Sequence, residues 1–223
     1  MLRNVCTRWG YYSKWTSGYL RQFGWRPRTV VDVGACLGTR ELYKAFPDAY
    51  HVLVEPLEEH EPHLRAILRD YRGQCFVTAL GRSEGTATMN VEPKRFWRSS
   101  VHERTALTTT GDVGRPRTIP VTTLDALQSE HRFEPPFGLK VDTEGADLDV
   151  VEGAHEFLRE TEFVIAEVSI AKRFEGGYSF FDFVQAMTRH RFELCDVLEL
   201  VPRKGAPGLT LMDGLFRRVS AAR

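Results

Sequence analysis

Thr29-Val-Val-Asp-Val-Gly-Ala-Cys-Leu-Gly-Thr39 is an apolar, β-branched run that stops at a glycine turn and gives way to a helical pattern. Such a stretch reads as a strand, a tight loop and a helix N-terminus, an arrangement that offers backbone N–H groups to an anionic ligand group. A second apolar run follows and ends in Glu55-Pro56. An acid closing the next strand, roughly 20 residues on, is placed to take the hydroxyls of a ribose. Together the two features predict a nucleoside cofactor seat.

The glycines choose the cofactor. A dinucleotide fingerprint, G-x-G-x-x-G, lets the backbone approach a pyrophosphate. Here Gly34 and Gly38 are present but Cys36 holds the middle position, which counts against NAD. S-adenosylmethionine has no pyrophosphate. It carries a carboxylate suited to helix N–H groups and a sulfonium cation suited to an acid such as Asp32. An NAD-dependent oxidoreductase and a non-catalytic cofactor-binding protein are the alternatives.

The chain has 223 residues, within reach of one α/β domain. Its 30 basic residues balance 30 acidic ones, so no overall positive field draws nucleic acid, and no nucleic-acid partner is expected. Cys6, Cys36, Cys75 and Cys195 show no C-x-x-C spacing. They read as reduced thiols of a cytoplasmic protein rather than a zinc or disulfide framework. Neither a secretory h-region nor a run of about 18 apolar residues is present, so no membrane span is expected. Between Trp9 and Trp25, five further aromatics at helical spacing predict an amphipathic helix in an N-terminal segment, 1–27. Two readings of its aromatics compete: docking on the domain, or lining an acceptor cleft or a homo-oligomer contact.

Beyond it the pattern alternates. Strands are expected at 29–34, 50–55, 74–79, 138–142, 162–168, 192–198 and 211–217, and helices at 39–46, 57–71, 124–128, from about 146, and 180–190. Such alternation gives a mainly parallel sheet covered on both faces. Residues 86–91 read as hairpin-like. The irregular, arginine-rich stretch 93–117 reads as an active-site cover.

Gly138-Leu-Lys-Val-Asp-Thr-Glu-Gly-Ala-Asp147 forms the second constellation. Ligands of open α/β sheets bind beyond the carboxyl ends of the strands, so Asp142 shares an edge with Gly34 and Glu55. Asp147 and Asp149 read as helix caps. Asp142 and Glu144, converging near Lys140, are candidates for a general base. With Glu167 they are alternatively ligands of a divalent metal. His102 and His155 are further candidates for accepting a hydroxyl proton, His102 the better placed.

In order, 31–38, Val54-Glu-Pro56, Thr123-Leu-Asp125, 139–146 and Asp213-Gly-Leu-Phe216 resemble the FkbM family of S-adenosylmethionine-dependent methyltransferases. The resemblance covers about 28–218, so 28–223 is read as the methyltransferase domain. It implies a class I methyltransferase, Rossmann-like three-layer fold: a mainly parallel seven-stranded sheet with an antiparallel last strand. It also implies O-methylation of a hydroxylated small molecule such as a sugar, a glycolipid or a polyketide-type scaffold. Carried over by position, Asp32, Gly34, Gly38 and Glu55, with Ala35 and Pro56 beside them, bind the cofactor. Asp142 and Glu144 lie by the transferred methyl. Cys36-Leu37 departs from the family's usual Asn at that turn, which removes a side-chain contact but not the backbone seat.

Overall fold

In the computed structural model, which describes residues 12–109 and 114–219, the elements follow the expected alternation. They are β1 (Tyr12–Ser13), α1 (Ser17–Leu20), β2 (Thr29–Val33), α2 (Arg40–Ala45), β3 (Tyr50–Val54), α3 (Glu61–Ile67), β4 (Gly73–Phe76), β5 (Ala79–Leu80) and β6 (Gly85–Val91). Then come β7 (Arg115–Thr122), α4 (Leu124–His131), β8 (Phe137–Val141), α5 (Asp147–Glu152), α6 (His155–Arg159), β9 (Thr161–Ser169), α7 (Phe180–Arg189), β10 (Phe192–Pro202) and β11 (Leu209–Arg218).

The main sheet has the order β1-β10-β11-β9-β8-β2-β3-β4. Pairing from β4 through β9 is parallel, whereas β11 runs antiparallel to both β9 and β10. This is the expected mainly parallel seven-stranded sheet with an antiparallel last strand, extended by the two-residue β1 at the β10 edge. A small second sheet, β5-β7-β6, stands beside it. It includes the hairpin-like 86–91 segment, which pairs antiparallel with the next strand, β7, across the long 92–114 connection.

β2 and β8 are buried along their whole length, as strands covered on both faces must be. Helices α4 to α7 pack on one face through Leu124, Val150, Phe157 and Phe183. The other face is covered by Leu20, Leu42 and Leu64 of α1 to α3. Each central strand carries one charge, Asp32 and Lys140, and these lie opposite each other in the register. Three layers with parallel strands put Gly34, Glu55 and Asp142 on a single sheet edge.

Two elements differ from the expectation. The N-terminal aromatics form only one α-turn, capped by Thr16, and a 3-10 turn, Arg21–Phe23. Trp25 stacks between Phe23 and Phe163 of β9, so these rings pack against a core face. Trp9, Tyr11 and Cys6 lie outside the described residues. The helix expected at 57–71 is a 3-10 turn, Glu58–His60, followed by α3. It ends at Leu68, and Gly73 opens β4 close against β3, where a Cβ would lie 2.1 Å from the His51 carbonyl oxygen. Cys36, Cys75 and Cys195 are free thiols. Among the described residues no helix is long and apolar enough to cross a membrane.

Candidate active site

A cavity of about 580 Å3 opens at the carboxyl edge of the sheet, a size that suits a small-molecule ligand. Its walls come from the ends of β2, β3 and β8 (Gly34, Glu55 and Asp142), from the β5–β6 region and from Phe96, Trp97, Ser99 and Val101. The last four belong to the irregular 93–117 stretch, which therefore covers the cavity. Residues 110–113 of that stretch lie outside the described residues.

Gly34 has φ +71, and a Cβ on it would lie 1.8 Å from the Asp142 carbonyl oxygen. Only glycine lets β2 and β8 close at this point. Gly38 has φ +84 and sits under Ile67 of α3, outside the cavity lining. The loop's N–H groups, expected to face a ligand carboxylate, are largely used internally. Gly34 and Ala35 donate to the Val54 carbonyl and Cys36 to Glu55, while Thr39 donates to Asp32 and to the Tyr43 hydroxyl. The loop is thus held by its own hydrogen bonds, and Ala35 is buried beneath it.

Glu55 is buried and lines the cavity with Pro56. Its two carboxylate oxygens accept from the N–H groups of Cys36 and Leu57, both at 3.0 Å. Each retains a lone pair. Burial pushes its carboxyl upward, while those two N–H groups and Lys140 pull against burial. Burial, with the Glu55 charge, also pushes the Cys36 thiol up to about 11, so it stands there as a neutral thiol. Thr143 supplies a buried hydroxyl oxygen without a hydrogen-bond partner in the same lining.

Asp32 does not reach the cavity. Fully buried, it accepts from the Tyr43 hydroxyl at 2.5 Å and pairs with Lys140 at 3.2 Å. It therefore belongs to the sheet seam rather than to a cofactor contact. Lys140 also pairs with Asp142 at 3.3 Å. Burial lowers its ammonium, but the two carboxylates outweigh this and raise it, so it is a cation.

The second constellation separates into two kinds of carboxylate. The Asp142 side chain is 39% exposed, against 16% for Glu144 and 14% for Glu167. Glu144 accepts from Arg104 at 2.9 Å and from Arg173 at 2.5 Å, and Arg173 also donates to Glu167. Burial, with Asp142 and Glu144 adding to it, pushes the Glu167 carboxyl upward, while Arg173 opposes. Arg173 thus sits where the metal alternative places a cation between Glu144 and Glu167. Among the described residues no group of three His, Cys, Asp or Glu side chains has a metal-holding arrangement. Asp142, Glu144 and Glu167 are therefore not arranged as a metal trio, and Glu144 is clamped rather than free to act as base. Asp147 accepts from the N–H groups of Thr143 and Gly145 and from the Tyr178 hydroxyl. It ties down the loop ahead of α5.

The histidines are also resolved. His102 is half-buried beside the Phe174 ring and does not line the cavity. His155 is exposed and packs against His190, which precedes β10 at the opposite sheet edge. Arg104, Arg173 and Trp97 were not legible as site residues. Arg173 lies 29 positions from the Glu144 it grips, and no spacing rule connects them.

A family model described as the methyltransferase FkbM domain matches residues 32–194. The chain belongs to the FkbM methyltransferase family. Among solved structures, the FkbM methyltransferase from Methylobacillus flagellatus aligns with TM-score 0.51 at 17% identity, over 84% of this chain and 43% of that one. The chain thus spans less than half the length of that relative. The 1,6-didemethyltoxoflavin-N1-methyltransferase from Burkholderia thailandensis aligns with TM-score 0.47 at 14% identity, over 92% of this chain and 76% of that chain. Magnesium protoporphyrin IX methyltransferase from Synechocystis aligns at 0.48 and 8% identity, over 91% and 76%. No curated protein matches the chain. The matched FkbM region includes the end of β2 from Asp32 onward, Glu55, Asp142 and Glu167, and so spans both walls of the cavity.

Proposed function

We propose that this FkbM protein transfers a methyl group from S-adenosylmethionine to a hydroxyl of a small cytoplasmic molecule, a sugar, glycolipid or polyketide-type scaffold. The supporting observation is that one cavity has Glu55 on one wall and the open carboxylate Asp142 on another. Glu55 takes the ribose hydroxyls through its free lone pairs. Leu57, Leu80 and Met89 form an apolar slot for a base, and the unpartnered Thr143 hydroxyl is available to the amino-acid portion. When bound, the cofactor supplies a methyl group already activated by a sulfonium. The protein's remaining tasks are alignment and removal of the acceptor proton. Asp142 takes that proton as the acceptor oxygen bonds to the methyl carbon and the carbon–sulfur bond breaks. Lys140 holds Asp142 in place from below, while Phe96 and Trp97 cover the site against water. A pyrophosphate ligand has no support here, because the loop N–H groups it needs are engaged by Val54 and Glu55 at the end of β3.

Asp142→Asn tests this reading. In a panel of hydroxylated acceptors with labelled S-adenosylmethionine, the variant is expected to turn over at least about 100-fold more slowly, with the dissociation constant for S-adenosylhomocysteine unchanged. Full turnover in the variant would remove Asp142 from the mechanism.

A further inference from the structure

A second cavity, about 790 Å3, is larger than the candidate active site and lies at the opposite edge of the sheet, where β2, β3, β4 and β8 begin. A five-residue strand separates the two edges by about 17 Å. The protein is neutral overall, yet this cavity is lined by five arginines, Arg21, Arg26, Arg28, Arg72 and Arg132, against two carboxylates, Asp48 and Glu134. That is a local excess of three positive charges.

Little inside the protein neutralises it. Arg28 pairs with Glu134, but both side chains are more than two-thirds exposed. Among the described residues, the side chains of Arg21 and Arg26 donate to backbone carbonyls, those of Lys44 and Trp25. Among the described residues no carboxylate lies within ion-pair distance of Arg72 or Arg132. Arg132 also stands at the end of α4 with φ +52, a position that favours glycine. Its side chain is not there for the sake of the backbone. The buried Phe46 and Phe133 line the same cavity, and the five arginines stand exposed around it.

We propose that this recess binds a small molecule bearing two or more phosphate charges. Guanidinium forks match phosphate oxygens bidentately. Several forks around one hollow of this size suit a compact polyanion with a short organic body. The site is independent of the methyl-transfer reading, since none of its residues lines the first cavity.

The test is calorimetric titration of the full chain with inorganic pyrophosphate and with ATP, on the wild type, Arg72→Ser, Arg132→Gly and the double variant. Glycine suits the Arg132 backbone, so that variant keeps the fold, and S-adenosylhomocysteine binding with thermal unfolding controls for it in all four. Saturable one-to-one binding, weakened about tenfold or more in each single variant, is expected. Four results would overturn the proposal: no saturable binding of either probe, equal binding in all four proteins, equal binding of citrate, or binding only to a single-stranded RNA oligomer.

Discussion

A single buried ammonium ties the candidate site to the sheet seam beneath it. Lys140 pairs with Asp32, fully buried in the neighbouring strand, and with Asp142 at the cavity wall. A buried charge left without its partner is costly. Lys140→Met is therefore expected to lower unfolding free energy by about 3–5 kcal/mol, measured by urea denaturation. Lys140→Arg should retain much of the stability. Asp213 gives a second, pH-resolved expectation. Burial, with the Asp142 charge nearby, pushes its carboxyl up to about 7 from 3.8, against the hydrogen bond from the Trp15 indole and the charge of Lys140. An acid whose folded value is raised takes up a proton on folding. Its contribution is full below about pH 4 and is lost as pH rises through about 7. The slope reaches up to about 1.4 kcal/mol per pH unit. Stability curves of Asp213→Asn should be flatter over that window, and identical curves would refute the assignment.

The cover over the cavity is held by ions as well as by Phe96 and Val101, which pack against Leu57 and Met89. Arg104 grips Glu144 and faces Glu92, its guanidinium lying 4.9 Å from the Phe174 ring centroid. Ser100 donates to the Glu144 carbonyl. Arg104→Ala leaves two largely buried carboxylates short of a partner. It should raise amide exchange across 96–105 by at least about tenfold while leaving β2 and β8 protected, as read by hydrogen exchange. This element also shows where sequence reading stopped. The strand–loop–strand pattern from Thr29 to Glu55 was legible because apolar run, glycine and terminal acid are contiguous. The inward aim of Asp32 was not, since a strand buried on both faces carries no alternation to reveal it, and its partner lies on β8. The Arg173 clamp was equally hidden, because it depends on how the turn after β9 returns over β8. The acids of 142–147 were visible as a group, but only the folded turn separates the more open Asp142 from clamped Glu144 and from Asp147, fully buried in the first turn of α5 rather than capping it.

The molecule as a whole divides its chemistry by sheet edge. Parallel strands carry Glu55 and Asp142 to one end and the arginine recess to the other, and the neutral net charge conceals that polarity. The alternation of strand and helix along the chain was enough to read this architecture, since right-handed connections leave few arrangements for such a pattern. The N-terminal segment was harder to read. Its aromatics mark packing, but the face they complete is built from Phe163 and Leu42, remote in sequence. The central claim is that the carboxyl-edge cavity is an adenosyl seat held by Glu55, and calorimetric titration with S-adenosylhomocysteine and with NAD, on the wild type and Glu55→Gln, tests it most directly. One-to-one binding of S-adenosylhomocysteine, about ten- to a hundredfold weaker in the variant and absent for NAD, is the result predicted. Binding of NAD alone, or equal S-adenosylhomocysteine affinity in both proteins, would contradict it.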